Sequence, residues 1–495
     1  MAGIGVKLNK IYSKKSIFIN ITGLAYSTVV SIAPMVLIIL TVFALQWAVG
    51  FDTLDYSSRE IFSCTMLYTF IFGLITTAPL NAVLSRYMSD MVYGELYEEI
   101  MPSYYTGLLI NAIISAIPAV PFMIYGMTQG IDPIFAYLGL FGYMCLILVF
   151  YSMLYLSICK DYGKIASFYF LGMVGMFIIG YVLVKVFDVP IIYGMQISLD
   201  LGLLIIAALE YAQLKAYFRD SSHNYWKVLS YFKEYWPLVI SNTCYTLGLY
   251  AHNFVFWTTD MKMVVANTFV CAQPYDMATF LAMVTNLSAT IIFISNAEMH
   301  FSPYYKNYTE SVIGGRLLDV ENAQKRMFTA LSQELMSLVR VQFIVTVILF
   351  LAMVIIMPFV GVSGLVLEIY PSLAAAYFIL FIMYSAIIFL YYYNDNAGAM
   401  LVSVSFLAVS VIGSVIASHY DYIWYGTGVF AGALIGWILA YFRMRWVERH
   451  LEEHIFCTGT IMTKVRTQKP PDIVYIKQRD EREQEADPVI EPKEA

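Results

Sequence analysis

Residues 165–186 read IASFYFLGMVGMFIIGYVLVKV, with one charge, Lys185, next to the end. At 1.5 Å per residue a helix of this length covers the roughly 30 Å hydrocarbon core of a bilayer. No polar face is left to meet water, so the segment reads as a transmembrane helix. Runs of the same kind lie near 17–49, 61–84, 104–125, 134–158, 197–217, 235–258, 264–296, 335–360, 373–393, 397–417 and 422–441. The composition agrees. The 495-residue chain is 60% hydrophobic and 13% charged, whereas soluble domains carry about 25% charged residues and need a large polar shell. The first run is too long for a signal peptide and ends in no small-residue cleavage site, so it is expected to stay as the first span. The eighth run is too long for one span and contains Gln273-Pro274. It is expected to hold a kink, or a short segment outside the membrane before the helix proper.

Loop charge orders these runs. With the N-terminus in the cytoplasm, all of the 29 Lys and Arg residues except Arg59, Lys185 and Lys262 fall on the cytoplasmic side. That is the asymmetry of the positive-inside rule. The expectation is an all-α, multi-pass integral membrane protein of the bacterial cytoplasmic membrane. It has about twelve transmembrane helices and both termini inside. The polar stretch 218–234 divides it into a six-helix bundle at 1–217 and a second at 235–449. The segment 300–334 has apolar stripes at helical spacing (Phe301, Tyr304, Tyr305, Tyr308, then Val320, Met327, Leu331). It reads either as a helix lying on the cytoplasmic membrane surface or as a helical hairpin packed on the protein. The tail 450–495 is charged and Pro-containing and is expected to be largely disordered.

The motifs of common catalysts are missing. No G-x-x-x-x-G-K-[ST] loop, H-E-x-x-H or G-x-S-x-G occurs in the sequence. The six cysteines form no C-x-x-C pair and read as buried thiols. A transporter and not an enzyme is expected, with no cofactor, no metal and no nucleic-acid partner. Its energy would come from an ion gradient, a partner or the cargo being pushed. Polar groups inside spans are costly and face a cavity or another helix. The seventh run places Asn242, Tyr245 and His252 on one face, with Asn253 beside them and Trp257 one turn on. The eighth aligns Asp276, Thr279, Asn286 and Thr290; the first, Asn20, Ser27 and Ser31; the second, Thr69 and Thr76, up to Pro79. Together they suggest a wet passage between the bundles, offering hydroxyls, amides and aromatic faces to sugar. The same residue types also join helices by hydrogen bonds, and that reading stands beside the first. Asp276 carries most weight, because an unpaired carboxylate at membrane depth costs most. His252 is either a proton site, with an ordinary pKa of about 6.5, or a bonded core histidine. Arg86 and Asp90, with Glu95 nearby, and Glu298 at a span end, are gating candidates or plain interfacial charges. Tyr391, Tyr392 and Tyr393 end a run, where an aromatic belt is expected.

Several stretches resemble one family. They are MAGIGVKLNKIY at 1–12, TTAPLNAVLSRYMSDMVY at 76–93 and KEYWPLVISNTCYTLGLYAHNFVFW at 233–257. To these add Pro274, Tyr275, Asp276, Phe280 and Leu281, then Glu298, Phe301 and Tyr305. They are similar to the PelG family, membrane transporters of the Pel exopolysaccharide system, over residues 1–449. Ala78 stands where that family has Gly, and Phe254 follows Asn253 directly. The resemblance implies a MATE/MOP-like fold, two six-helix bundles around a central cavity, and alternating access. It also implies an amino-sugar polymer rich in N-acetylgalactosamine as cargo. Its implied partners are a cytosolic glycosyltransferase and the membrane proteins PelD, a cyclic-di-GMP receptor, and PelE. A lipid-linked oligosaccharide flippase would want a more cationic cavity, and few basic residues lie within the spans. A cation-coupled drug exporter would want an essential embedded carboxylate such as Asp276. A scaffold that only recruits the synthase would tolerate every substitution in the cavity.

Overall fold

The computed structural model describes residues 34–159, 161–287, 301–362, 364–451 and 453. Asn20, Ser27, Ser31, Thr290, Glu298 and nearly all of the tail lie outside these residues. The described chain is helical apart from one small hairpin. Its first half holds α1 (Pro34–Val49), α2 (Tyr56–Tyr93), α3 (Ile100–Thr128), α4 (Pro133–Ile158), α5 (Tyr162–Lys185) and α6 (Ile191–Tyr217). The short α7 (Lys227–Glu234) leads to α8 (Trp236–Phe256), strands β1 (Met263–Val265) and β2 (Phe269–Cys271), and α9 (Gln273–Asn286). Then come α10 (Ser302–Gly314), α11 (Leu317–Ile356), α12 (Gly364–Tyr392), α13 (Asn396–Ala417) and α14 (Thr427–Arg449).

Local chemistry fixes several helix starts. The Asp55 carboxylate accepts from the Ser58 N–H at 3.1 Å to open α2, and Asp132 from Phe135 at 3.3 Å, ahead of Pro133, to open α4. Asp395 does the same for α13 through Gly398 at 3.0 Å. Each supplies an acceptor to a helix N-terminus that has none of its own. Among the described residues nine helices are long and apolar enough to cross a membrane. They match nine of the twelve expected runs. The first and eighth runs are described only in part, and α8 carries Asn242, Thr243, His252 and Asn253 within its 21 residues.

Two expectations left open resolve to one of their alternatives, and one changes. The eighth run holds a short segment before its helix proper rather than a kink: Met263 pairs with Cys271 and Val265 with Phe269 in an antiparallel hairpin, and α9 begins at Gln273. Of its two readings, the segment 300–334 takes that of a helical hairpin packed on the protein and not that of a surface helix. Its second part is the start of the 40-residue α11, which runs unbroken because no Gly or Pro interrupts 317–356. Its first part, α10, packs back on α11 and on the protein. The Phe301 ring meets Phe389 at 5.0 Å, Tyr305 donates to the Tyr392 carbonyl at 3.2 Å, and Phe328 stacks on Tyr393 at 5.4 Å. The tyrosines at the end of α12 are therefore packing groups and not a lipid-facing belt; Tyr393 is buried.

Helices α1 to α6 pack among themselves, α6 lying against α4 and α5, and α2 against α4. On the other side α13 lies along α8, and α9 along α12. A Cβ at Gly248 of α8 would stand 2.5 Å from the Phe406 ring of α13, so glycine there is what lets the two backbones approach. The helix α14 runs from the main body of the fold, residues 1–441, into a second unit, 442–495. In that unit Arg443 lies over the Trp446 ring at 4.2 Å and Arg445 pairs with Glu448 at 2.8 Å.

Candidate functional site

The two groups of helices meet along α2 and α8, with the hairpin at one end and α7 at the other. At the hairpin end, Cys64 and Cys271 bring their sulfurs to 3.8 Å. One turn on, the Tyr68 hydroxyl donates to the Val270 carbonyl at 2.8 Å and accepts from the Val270 N–H at 2.9 Å. It satisfies the outer edge of β2 as a neighbouring strand would. The Tyr68 ring stacks on Trp257 at 5.3 Å and 9°, and Phe72 stacks on Phe254 at 5.8 Å and 11°. Midway along α2, Asn242 Nδ2 donates to the Ala78 carbonyl at 2.7 Å, beside Pro79.

At the far end, Arg86 pairs with Asp90 at 3.3 Å, and the Tyr231 hydroxyl donates to Asp90 at 3.3 Å. The Arg86 guanidinium lies 5.5 Å from the Tyr235 ring centre, and Tyr87 meets Tyr231 edge-on at 4.9 Å. Lys227 of α7 reaches Glu99 at 3.4 Å. The gating candidates Arg86 and Asp90 thus sit together where the linker between the halves folds back on α2. Glu95 forms the turn after that helix, with φ 56°.

The expected polar groups bond chiefly within their own group of helices. Thr76 bonds the Tyr143 hydroxyl of α4 at 2.9 Å. Asn253, Trp257, Asp276 and Thr279 do come together: Asp276 accepts from Asn253 Nδ2 at 2.7 Å, from Trp257 Nε1 at 3.0 Å and from the Ala272 N–H at 3.0 Å, and Thr279 Oγ1 stands 3.5 Å from Asn253. Asp276 is therefore a partnered carboxylate joining α8 to the first turn of α9. His252 is fully buried, with Nδ1 2.9 Å from the Tyr275 hydroxyl and Nε2 3.4 Å from that of Tyr377. Asn286 bonds the Ala282 and Ala374 carbonyls at 3.0 Å and accepts from Thr346 at 2.8 Å. Tyr245 stacks on Tyr384 at 4.5 Å. In this conformation the passage expected to be wet is shut by rings, and much of its expected lining is bonded within the second group of helices.

Two acids in α6 belong on the candidate list and were not on it. Glu210 is fully buried, and neither carboxyl oxygen has a hydrogen-bond partner among the described residues. Asp200 is equally buried; one oxygen accepts from Gln196 at 2.8 Å and the other has no such partner. A Cβ at Gly142 of α4 would fall 2.2 Å from that first oxygen, so the glycine makes the room Asp200 occupies. Ionisable groups at membrane depth mark functional sites by default. Both are visible as charges in an otherwise apolar run. A search for polar faces misses them because each stands apart from the other candidates.

The comparisons with known proteins agree with this geometry. The family model "PelG: Putative exopolysaccharide Exporter (EPS-E)" matches residues 1–456. No curated protein matches the chain. Among solved structures it is similar to a multidrug-resistance MATE family transporter of the MOP superfamily in an inward-facing conformation. That match has a TM-score of 0.54 and 12% identity, over 83% of this chain and 95% of that one. An outward-facing MATE transporter gives 0.57 and 13%, over 86% and 96%. A MOP superfamily transporter from Pyrococcus furiosus, described as having a binding pocket of reversed polarity, gives 0.61 and 12%, over 86% and 96%. The fold is that of the MATE/MOP transporters.

Proposed function

The chain belongs to the PelG family of exopolysaccharide exporters, and from that premise we propose that it moves an amino-sugar, Pel-like polymer across the bacterial cytoplasmic membrane between its two groups of helices. It is a membrane exporter and not an enzyme. The observation that carries the proposed route is the construction of the seam. Between the groups, α2 meets α8 and the adjoining Trp257 through two ring stacks and the Asn242–Ala78 hydrogen bond, meets the hairpin through Tyr68 and Val270, and meets the linker helix α7 where Tyr231 donates to Asp90. Such a contact can part without unfolding either side, as alternating access requires. Opened, it would expose the aromatic faces of Tyr68, Phe72, Phe254 and Trp257 with the amide of Asn242, groups suited to sugar rings and their hydroxyls.

The end bearing Arg86, Lys164, Lys215, Lys227 and Lys233 is proposed to face the cytoplasm, with both termini, and the hairpin end the outside. A cytosolic glycosyltransferase and PelD- and PelE-like membrane proteins are the proposed partners at the inner end. A lipid-linked oligosaccharide flippase or a drug exporter could use the same fold; the family match favours the polymer.

The thiols test the route. Copper–phenanthroline oxidation should join Cys64 to Cys271, since their sulfurs need only close from 3.8 Å to a bond of about 2.05 Å. Secretion of polymer should stop, return with dithiothreitol, and stay untouched by oxidant in Cys64→Ser. Normal secretion by fully cross-linked protein would end the proposal that cargo passes along this seam.

A further inference from the structure

Beside the seam, α2, α3 and α4 enclose a cleft of about 260 Å³ roofed by Thr268 and Phe269 of the hairpin. We propose that this cleft is a lipid site that takes one acyl chain of a bilayer phospholipid.

The polar inventory decides the ligand class. A sugar would need free hydrogen-bond partners, and the cleft has almost none to give. Thr65 donates to the Ile61 carbonyl at 2.7 Å, the Tyr143 hydroxyl is bonded to Thr76 at 2.9 Å, and Thr268 donates to Ala266 at 3.0 Å. The Tyr68 hydroxyl is spent on Val270. Among the described residues Thr69 is the one lining hydroxyl outside these bonds. The rest of the wall is ring and aliphatic carbon, with no charge. Water gains little in such a space, because an ordered water needs two to four polar partners. Hydrocarbon loses nothing there.

The room comes from small residues. Ala119 and Gly126 of α3 face Ala136 and Gly139 of α4, where larger side chains would fill the cleft. A Cβ at Gly139 would already stand 3.3 Å from Thr65. The mouth points to lipid. Pro118, on the rim, is exposed, and α3 bares Ile113, Ile117 and Ile124 while α4 bares Ile134, Tyr137 and Phe141. A bilayer acyl chain is thus the hydrocarbon at hand. Tyr68 and Phe269 line the cleft and also touch the seam: Tyr68 stacks on Trp257, and Phe269 meets the Tyr68 ring at 5.1 Å. A chain in the cleft would brace the ring that holds the two groups of helices shut.

The test uses the full chain in bilayers containing a phospholipid with a diazirine midway along one acyl chain. After photolysis, peptide mass spectrometry should find label on Ala119, Met123 or Gly139 as well as on the outward Ile113 and Phe141. Ala119→Phe should lose the cleft label and keep the outward label. Ala136→Leu, a smaller filling, is the second variant should the first fail to fold. Absence of cleft label while the outward positions react would overturn the site. So would cleft label that survives in the folded variants. Label transferred from a diazirine polyprenyl phosphate that excess phospholipid cannot displace would overturn the phospholipid as occupant.

Discussion

At the scale of single residues, the acids separate by their partners. Asp276 stands out in the sequence because its helix run offers it nothing opposite in charge. Its donors, Asn253 and Trp257, come from the helix before it, and the hairpin between them is not a sequence pattern that announces such a meeting. With three donors aimed at it, Asp276 is first of all a tie between α8 and α9. Asp276→Asn turns one acceptor into a donor facing other donors, so stability should fall by about 1–3 kcal/mol, read as a lower thermal midpoint in purified protein. An unchanged midpoint with secretion lost would return Asp276 to the transport path. Glu210 is the opposite case, a buried acid that ties nothing among the described residues. Glu210→Gln keeps its shape and removes its ability to ionise. Secretion should drop several-fold at unchanged membrane level if the acid carries a proton during transport, and wild-type secretion in that variant would make Glu210 inert. His252 is a core histidine by its surroundings: Tyr275 and Tyr377 stand on either side of the ring, partners that the sequence places far from it.

Among elements, long uniform runs are legible and joints are not. Helices α2 to α6 and α12 to α14 follow from apolar length alone, since only a helix satisfies every backbone group in lipid within a single segment. The start of α11 was hidden by its charges. Hydropathy places a boundary near 335, whereas the absence of any helix breaker between 317 and 356 points to one continuous helix. The hairpin was hidden for another reason: Met263–Val265 and Phe269–Cys271 are short and apolar, and blend into the run that follows. Lys262 stands at its base, with Arg59 and Lys185 one of the three basic residues that the proposed orientation puts outside. Lys262→Cys, in a background with Cys64 and Cys271 changed to Ser, should react in whole cells with a membrane-impermeant maleimide. A cysteine at Lys233 should react only after the membrane is opened. The reverse pattern would invert the topology.

For the molecule as a whole, the question is what holds the two groups of helices shut. Two ties can be cut separately. Tyr68→Phe keeps the ring stacked on Trp257 but abandons the N–H and carbonyl of Val270. Asn242→Ala removes the bond to the Ala78 carbonyl, further along the same seam. At about 1 kcal/mol net per protein hydrogen bond, Asn242→Ala should shift the ratio of open to shut roughly fivefold and Tyr68→Phe, which loses two bonds, roughly thirtyfold. The rate of Cys64–Cys271 cross-linking under mild oxidation follows the shut fraction, from which that ratio is obtained, because the sulfurs meet only when the seam is closed. The two sites share no partner, so their free energies should add if the seam parts as one unit. The open-to-shut ratio of the double variant would then exceed that of the wild type by the product of the two single effects, and it would cross-link slower than either single variant. If instead Asn242→Ala leaves the cross-linking rate at the wild-type value, the hairpin end closes independently of the middle, and the groups of helices peel apart from one end rather than rocking as two rigid bodies.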